Sequence, residues 1–410
     1  MNLDSGKLQS LLSAGAVRQR SHQLGELART GKTRWLAIDE SRFDHCVEFV
    51  AETCRQNYPD LKIPLHSRWR HFEIAGTDLW KHHADEFDGD PLDLARTAVD
   101  LVFVSVLIDA GSGGQWNFHD PISGSELSRS EGLAAASISL FFDGLAQFDS
   151  DKGWLIGADD LFRLDRATLA EIFQHSPDNP LLGLEGRLEL LHGLARVLQS
   201  NSTDQSYYSR PGGIVDECLE RVKNRTKLID IGDVLSIVLN RFGAMWPSGY
   251  RLDGINLGDC GYHSLLASDD PLSGIVPFHK LSQWLTYSLV EPLQWAGFEI
   301  TNLDSMTGLP EYRNGGLFID TGVFQVLDES ILQDRLTLDS EAVVEWRALT
   351  VFLLDRLAHS LRGKLGLNEA QLPLGAVLQG GSWAAGRRIA EQRRTDAAPP
   401  LNLAIDGTIF

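Results

Sequence analysis

Two carboxylates flank a glycine pair in a segment that also carries other reactive side chains. Glu311 and Asp320 lie nine residues apart, with Gly315 and Gly316 between them. A turn at the two glycines would bring both carboxylates to one site. Paired carboxylates suit a reaction in which one group is ionised and the other passes a proton. The alternative is that Glu311 forms an ion pair with Arg313 and that Asp320 caps a turn.

A polar strip follows from helical spacing in the segment 276–287. His279, Gln283 and Tyr287 recur every four residues, so they share one face of a predicted helix. Lys280 and Trp284 lie on the adjacent strip. A polar strip on an otherwise apolar helix indicates the wall of a cavity, and an ordinary exposed face is the alternative.

A local cationic cluster stands out against the acidic composition of the chain. His66, Arg68, Arg70 and His71 fall within six positions. Arginine binds phosphate and carboxylate groups through two parallel hydrogen bonds, so the cluster could hold an anion. The alternative is a surface turn whose arginines pair with nearby acids.

A glycine-rich segment at 109–118 contains Trp116 and follows a long apolar stretch. Backbone N–H groups of such a loop can bind an anion, and the Trp116 ring could stack on a flat ligand. The segment matches neither the phosphate-binding nor the dinucleotide-binding glycine pattern. A loop that ends a helix is the alternative.

Composition excludes several classes of protein. The 410 residues include 37 Lys and Arg against 56 Asp and Glu, which gives a net charge of −19 and argues against binding to nucleic acid. Four scattered cysteines without CxxC spacing predict neither a disulfide framework nor a zinc site. We expect no secretion signal, no membrane span and a cytoplasmic location.

The hydrophobic pattern predicts a mainly α protein with a few short strands. A helical period begins at Leu8 and continues to Leu27, and a family-length unit over 1–410 is expected, with two lobes at 1–200 and 212–410. Weak strand signals occur at Tyr250–Leu257, at Gly316–Val326 (strand or loop) and at Thr408–Phe410. The further predicted helices are Arg42–Arg55, Leu92–Ile108, Ser130–Leu145, Asp165–Ile172, Leu182–Leu198, Lys227–Phe242, Lys280–Trp295 and Ser340–Leu365.

Several long words of this sequence resemble the uracil catabolism protein 4 family. They include HSRWRHF (66–72), RSEGLA (129–134), VPFHKLSQWL (276–285) and EYRNGGLF (311–318), and the resemblance runs nearly end to end. It implies a role in a uracil degradation route that passes through a uridine nucleotide and ribosylurea to urea. It also suggests association with other uracil-degradation enzymes.

A shorter resemblance concerns about forty residues and points to a mechanism. Lys280 and Gln283, followed by Tyr312 and Arg313, are similar to the Lys-Arg-Ala-Gln and Asp-Tyr-Arg words of the queuosine salvage proteins. Those proteins are N-glycosidases, and the resemblance implies a helical core like that of DNA glycosylases. Glu311 stands where that family has Asp.

These observations together lead to one functional hypothesis, an N-glycoside hydrolase that cleaves the ribose–urea bond of ribosylurea or its 5′-phosphate without a metal or other cofactor. Glu311, with Asp320 as the alternate, would stabilise positive charge at the sugar carbon and activate water. The groups expected to bind substrate are His66, Arg68, Arg70, Trp116, His279, Lys280, Gln283, Trp284, Tyr312 and Arg313.

Two other hypotheses remain open at this stage. An amidohydrolase or lyase acting on an opened pyrimidine ring would need a nucleophile such as Cys260, or an ordered pair of histidines. A non-catalytic partner of another pathway enzyme would not need the charge of Glu311 at all.

Overall fold

The protein is described here by a computed structural model that covers residues 5–201, 209–222, 226–246, 250–395 and 397–404. Helices dominate these ranges and the strands are short, which confirms the predicted mainly α class. The predicted strand at 408–410 and most of the segment 200–211 lie outside the described residues. The more specific prediction of a DNA-glycosylase-like core stays a prediction.

The helices are distributed along the whole described chain. Their bounds are α1 Ser5–Ser10, α2 Ala14–Arg29, α3 Glu40–Asn57, α4 Leu79–Ala84, α5 Pro91–Leu107, α6 Arg129–Ser139, α7 Ala158–Arg163, α8 Arg166–Ile172, α9 Leu184–Asn201, α10 Ile214–Val222, α11 Ile231–Phe242, α12 Lys280–Trp295, α13 Tyr312–Asp320, α14 Ser330–Gln333, α15 Glu341–Leu365, α16 Leu374–Ala376 and α17 Trp383–Arg393.

The strands form pairs only, and none of the pairs in the described ranges extends into a larger sheet. The antiparallel pairs are β1 Leu36–Ile38 with β14 Phe324–Val326, β2 Glu73–Ile74 with β3 Thr77–Asp78, β4 Asn117–His119 with β5 Glu126–Ser128, β6 Gln147–Asp149 with β7 Gly153–Leu155, β9 Arg251–Leu252 with β10 Ile255–Asn256, and β11 Cys260–Tyr262 with β12 Ile275–Pro277. The parallel pairs are β8 Leu228–Asp230 with β13 Glu299–Thr301 and β15 Arg335–Leu336 with β16 Asn402–Leu403.

The chain divides into two compact units whose members are not contiguous in sequence. Among the described residues, the first unit comprises 5–66, 250–283 and 302–404 without 396, and the second comprises 67–201, 209–222, 226–246 and 284–301. The predicted lobes 1–200 and 212–410 therefore each contribute to both units. The hydrophobic pattern within a single helix carries no information about which distant segments pack together. The boundaries of the two units could therefore not be predicted from sequence periodicity.

The first unit is built around α15, which is buried along most of its length. Helix α2 packs closely on it, because Gly25 leaves room for the ring of Phe352: a Cβ at Gly25 would lie 2.3 Å from that ring. Helix α13 packs against both α15 and α17. These contacts place the start of α13 inside the unit, where Glu311 lies.

The second unit is built around α5, whose side chains are buried on nearly every face from Ala95 onward. A buried arginine satisfies the carbonyl groups that follow this helix. The Arg187 Nε donates to the Ile108 carbonyl at 2.8 Å, and its Nη2 donates to the carbonyls of Ala110 and Gly111. A cation at a helix C-terminus also interacts favourably with the helix dipole.

One predicted element is wrong in a way that matters for the site. The segment 312–320 is a helix, so Gly315 and Gly316 form no turn. Gly315 is needed for packing instead, since a Cβ there would lie 2.4 Å from the ring of Trp346. Only the end of the predicted strand or loop at 316–326 is a strand, β14. The predicted helix 227–242 likewise begins with strand β8 and becomes helical only at Ile231.

Membrane insertion by a helix finds no support in the described ranges, where none of the helices combines the length and apolar character needed to span a bilayer.

The close approach of α17 to α13 gives a stability prediction with an internal control. A Cβ at Gly386 would lie 2.2 Å from the Arg313 carbonyl oxygen, whereas a Cβ at Gly363 meets no atom within 4 Å. Both glycines are helical. We expect Gly386→Ala to lower the free energy of unfolding by about 3 kcal/mol through overpacking. Gly363→Ala should raise it by about 0.5–1 kcal/mol. Urea denaturation of both variants measures this, and equal effects would contradict the described packing.

Candidate active site

The carboxylate of Glu311 caps the N-terminus of α13. Its backbone is extended, with φ −122° and ψ 169°, and its side chain accepts hydrogen bonds from the N–H groups of Arg313 at 2.8 Å and Asn314 at 2.5 Å. The helix dipole favours a negative charge at this position. Only 7% of the Glu311 surface is exposed. The structure thus holds an acidic group inside the protein, oriented by the start of a helix.

The segment that leads to Glu311 is fixed by arginines from two other helices. The Arg18 guanidinium of α2 donates to the backbone carbonyls of Asp304, Ser305 and Met306, at 3.1, 3.1 and 2.6 Å. Arg362 of α15 forms an ion pair with the Asp304 carboxylate. These contacts remove the freedom that a connection between two helices would otherwise have.

Lys280 lies within electrostatic range of Glu311 and also of His66, all in the first unit. Burial raises the pKa of Glu311, while the N–H groups of Arg313 and Asn314 and then the Lys280 ammonium act in the opposite direction. Lys280 is itself only 9% exposed. The same ammonium contributes to lowering the pKa of His66. Lys280 therefore interacts electrostatically with two other predicted site residues.

His66 is an uncharged imidazole at neutral pH. Burial, with a smaller contribution from Lys280, lowers its pKa to about 4, although a hydrogen bond with Gln379 opposes the shift. The bond joins Nδ1 of His66 and Oε1 of Gln379 at 2.8 Å, so Nδ1 carries the proton. The ring centroid lies 5.6 Å from that of Trp383. Gln379 and Trp383 thus belong to the surroundings of His66.

The predicted substrate role of Gln283 needs correction because its amide is engaged within the protein. Its Nε2 donates to the Phe278 carbonyl at 3.0 Å and to the Thr307 Oγ1 at 2.8 Å, and its Oε1 accepts from the Thr307 N–H at 2.9 Å. Gln283 and Thr307 are both fully buried. The amide connects the start of α12 to the segment before Glu311.

The predicted substrate role of His279 is revised for a similar reason. Its Nε2 lies 2.9 Å from the Leu11 carbonyl oxygen, and the residue is 1% exposed. Its backbone has φ 50°, in the left-handed region that non-glycine residues seldom adopt. His279 therefore shapes the entry into α12 immediately before Lys280.

Tyr312 and Arg313 follow Glu311 on α13. The Arg313 Nη1 donates to the Ala397 carbonyl at 2.8 Å, and its guanidinium carbon lies 5.0 Å from the centre of the Tyr312 ring. Arg313 is buried and Tyr312 is half-buried. The expected role of both residues in binding substrate stays a prediction.

Asp320 is separated from Glu311 by the length of α13. At 1.5 Å per residue, the helix places it about 13 Å from Glu311 along the axis. Its two carboxylate oxygens accept hydrogen bonds from Arg394, at 2.8 and 2.6 Å. The expected pairing of the two carboxylates at one turn is therefore wrong, which leaves Glu311 as the candidate catalytic carboxylate.

Arg68, Arg70 and Trp284 lie in the second unit. Nη1 of Arg68 contacts the Asp109 carboxylate at 2.7 Å, its Nε donates to the Ser105 hydroxyl at 2.7 Å, and the Trp284 ring centre is 5.7 Å from its guanidinium carbon. Burial lowers the pKa of Arg68, and the Asp109 carboxylate opposes this. The interactions inside this unit therefore resemble a buried ion pair.

Arg70 is also paired with acids of its own unit. Its guanidinium contacts the carboxylates of Glu291 and, at 3.3 Å, Glu73. Glu291 accepts a further hydrogen bond from Ser67 at 2.6 Å. Since both arginines of the 66–72 cluster already face carboxylates, the predicted phosphate role of this cluster loses its electrostatic basis.

Trp116 is a core residue rather than a free ring. It is 1% exposed, and its indole N–H donates to the Phe173 carbonyl at 2.9 Å. Its ring also packs against Phe118, with centroids 6.2 Å apart. The prediction that Trp116 flanks a flat ligand therefore needs correction.

Cys260 has the properties of a structural thiol. Burial, reinforced by the neighbouring Asp259 carboxylate, raises its pKa well above the ordinary value. Its Sγ contacts the Leu257 carbonyl at 3.2 Å. A thiol that keeps its proton is a poor nucleophile, which weakens the hypothesis of a cysteine-dependent amidohydrolase or lyase. Within the ranges described, no group of three or more His, Cys, Asp or Glu residues could hold a metal ion.

Gln379 is a partner of His66 that was not expected from the sequence. It lies in a π-helical turn, Val377–Ser382, between α16 and α17. Such turns are rare and often occur at functional sites. The adjacent glycines at 380 and 381 are a sequence signal for this turn. They pack against Ile63 and Val50 respectively, so closely that a Cβ on either glycine would crowd the neighbouring side chain. Nothing in the local pattern pairs Gln379 with His66.

The fold and the site define a mainly α protein in which a buried carboxylate and a buried lysine stand at the starts of two helices, within electrostatic range of each other. Residues 10–410 match the family described as "Protein of unknown function (DUF1688)", and the chain belongs to this family. It is 35% identical to "Uracil catabolism protein 4" of Lachancea kluyveri, over 97% of this chain and 98% of the relative. It is 33% identical to "Protein urg3" of Schizosaccharomyces pombe, over 98% of each. These findings confirm the resemblance described above.

The lowered pKa of His66 predicts an acid-dependent loss of stability. In the unfolded state His66 takes up a proton below its ordinary pKa of about 6.5, whereas in the folded state it does so only below about pH 4. The free energy of unfolding therefore falls as the pH falls through this window. The shift corresponds to about 3 kcal/mol. We expect this component to be absent from His66→Gln, as measured by urea denaturation of both proteins between pH 7 and pH 4. A parallel pH dependence in wild type and variant would contradict a neutral buried His66.

Proposed function

We propose that this protein acts in uracil catabolism as an N-glycoside hydrolase that cleaves the bond between ribose and urea in ribosylurea or its 5′-phosphate. The observation that carries the proposal is the buried Glu311 carboxylate, held at the N-terminus of α13 within electrostatic range of Lys280. The names of the relatives, "Uracil catabolism protein 4" above all, support the pathway.

The reaction needs a fixed negative charge near the anomeric carbon. As the C1′–N bond breaks, its electron pair goes to the urea nitrogen and the sugar becomes an oxocarbenium ion. The Glu311 carboxylate would stabilise this positive charge and take a proton from the water that adds to C1′. Burial raises the pKa of this carboxylate, and the two N–H donors and the Lys280 ammonium oppose that shift toward the protonated form.

Lys280 supplies the opposite charge at the proposed site. An ammonium next to the leaving group would stabilise the negative charge that develops on urea, and it could return the proton that urea needs. Neutral His66 adds a polar group without adding repulsion toward Lys280. The proposed site thus contains an acidic and a cationic group whose roles differ, as cleavage of an N-glycosidic bond requires.

The charge of Glu311 can be tested separately from its capping role. Glu311→Gln keeps the size but removes the charge, and we expect kcat/KM for release of urea to fall by about 10³-fold, since a general base contributes roughly 10²–10⁴. Purified proteins incubated with ribosylurea and with its 5′-phosphate, followed by urea and pentose assays, give the measurement. Wild-type protein that releases neither product would overturn the proposed function.

The Glu311→Asp variant separates the position of the carboxylate from its role in capping α13. Aspartate is a preferred N-cap residue, so Glu311→Asp should retain the free energy of unfolding within about 1 kcal/mol. Its carboxylate is retracted by one methylene, and we expect a loss of at least about 10-fold in kcat. Cys260→Ser is the matched control and should keep full activity. Uracil-degradation flux that survives Glu311→Gln would favour a non-catalytic partner instead.

A further inference from the structure

The amide of Gln283 joins the two backbone segments that carry the charges of the candidate site. Gln283 lies three residues after Lys280, on the first turn of α12, and Thr307 lies four residues before Glu311. The amide forms hydrogen bonds with three groups, namely the Phe278 carbonyl at the entry to α12 and both the hydroxyl and the N–H of Thr307. A single side chain therefore links the two segments directly.

The segment between Thr307 and Glu311 transmits this constraint through backbone contacts. The Leu309 carbonyl accepts the N–H of Glu311 and the side-chain amide of Asn314, both at 2.9 Å. Asn314 in turn donates its N–H to the Glu311 carboxylate at 2.5 Å. A shift at Thr307 would accordingly displace the carboxylate as well.

The start of α12 is fixed from the other side by Asp259. Its carboxylate accepts the Lys280 N–H at 3.0 Å and is paired with Arg347 at 2.7 Å. Its carbonyl oxygen accepts the N–H groups of Phe278 and His279, at 2.9 and 3.1 Å. Asp259 anchors the backbone of Lys280, but none of these bonds reaches the segment that carries Glu311.

We propose that Gln283 is a positioning residue that sets the distance between the Lys280 ammonium and the Glu311 carboxylate through its hydrogen bonds with Thr307. This assignment deepens the proposed function, because both charges belong to the proposed site. It replaces the ligand role that sequence spacing suggested for Gln283.

A neutral amide suits this role for an electrostatic reason. It donates through nitrogen and accepts through oxygen, so one side chain satisfies both the hydroxyl and the N–H of Thr307. A carboxylate or an ammonium in the same buried place would change the field at Glu311 and Lys280. Glutamine therefore fixes the geometry without altering the balance of charge.

The first experiment compares kinetic constants of full-length variants. Gln283→Met has a similar volume but makes none of the three hydrogen bonds, and Thr307→Val removes the hydroxyl. We expect each to lower kcat for urea release, by about 100-fold for Gln283→Met, with KM changed less than about threefold, because misplacement by 1 Å costs about this much. Thr307→Ser keeps the hydroxyl and should restore kcat.

Thr350→Val is the matched control for a merely structural effect. Thr350 is also a buried threonine of the first unit, and its hydroxyl donates to the Trp346 carbonyl at 2.7 Å. The control should lose stability as Thr307→Val does, yet retain kcat. Equal losses of kcat in Thr350→Val and Gln283→Met would overturn the assignment.

The second experiment does not depend on turnover, so it separates this inference from the proposed function. A double-mutant cycle combines Gln283→Met with Glu311→Gln and measures the unfolding equilibrium constant in urea. We expect the effect of Glu311→Gln to change by at least about fivefold when Gln283 is absent, because the two sites share one network. The same cycle with Thr350→Val should be additive.

The outcomes of the two experiments are distinct. Wild-type protein that releases no urea, together with a coupled Gln283–Glu311 cycle, would overturn the proposed function and support the positioning role. An additive Gln283–Glu311 cycle would overturn the positioning role, whatever the wild-type activity.

Discussion

A carboxylate that leaves water must find donors or cations within the protein, and this requirement fixes the chain around Glu311. Moving an ion into the interior costs several kcal/mol unless partners replace its hydration. At Glu311 the partners are two N–H groups of α13 and the Lys280 ammonium. The Asp259 carboxylate is stabilised in a similar way, by the Arg347 guanidinium and the Lys280 N–H. The start of a helix supplies oriented N–H donors without adding a charged side chain. The starts of α12 and α13 serve this purpose for the two buried carboxylates.

The long helices could be predicted because their burial follows from their own periodicity. Helix α12 begins and ends at the predicted residues, and α5 and α15 differ from prediction by one residue at most. The segment 312–320 could not be predicted in this way, since its two glycines resemble a turn in sequence and serve helix packing in space. Strand β8 was missed because a three-residue strand is too short to show alternation before the helical period of α11 begins.

The site was predictable where unusual residues adjoin and unpredictable where partners come from distant segments. His66, Lys280 and Glu311 lie in words that stand out by composition, and the structure brings Lys280 within electrostatic range of each of the other two. The partners Gln379 and Thr307 are isolated polar residues in apolar surroundings, so no local pattern marks them. Trp116 and Gln283 were wrongly expected to bind substrate, because their polar atoms form hydrogen bonds within the protein. Residue type alone cannot reveal how a side chain is already bonded.

Glutamate at position 311 cannot be explained by capping alone. Aspartate, asparagine, serine and threonine are the preferred N-cap residues because their short side chains reach back to the first turn at little conformational cost. The longer Glu311 side chain still accepts from Arg313 and Asn314, but its immobilisation costs more rotamer entropy. Each carboxylate oxygen retains a further lone pair after accepting one N–H. A side chain that accepts a higher entropic cost to hold its carboxylate at this helix start is better explained by a requirement for the position of the charge than by a requirement for stability.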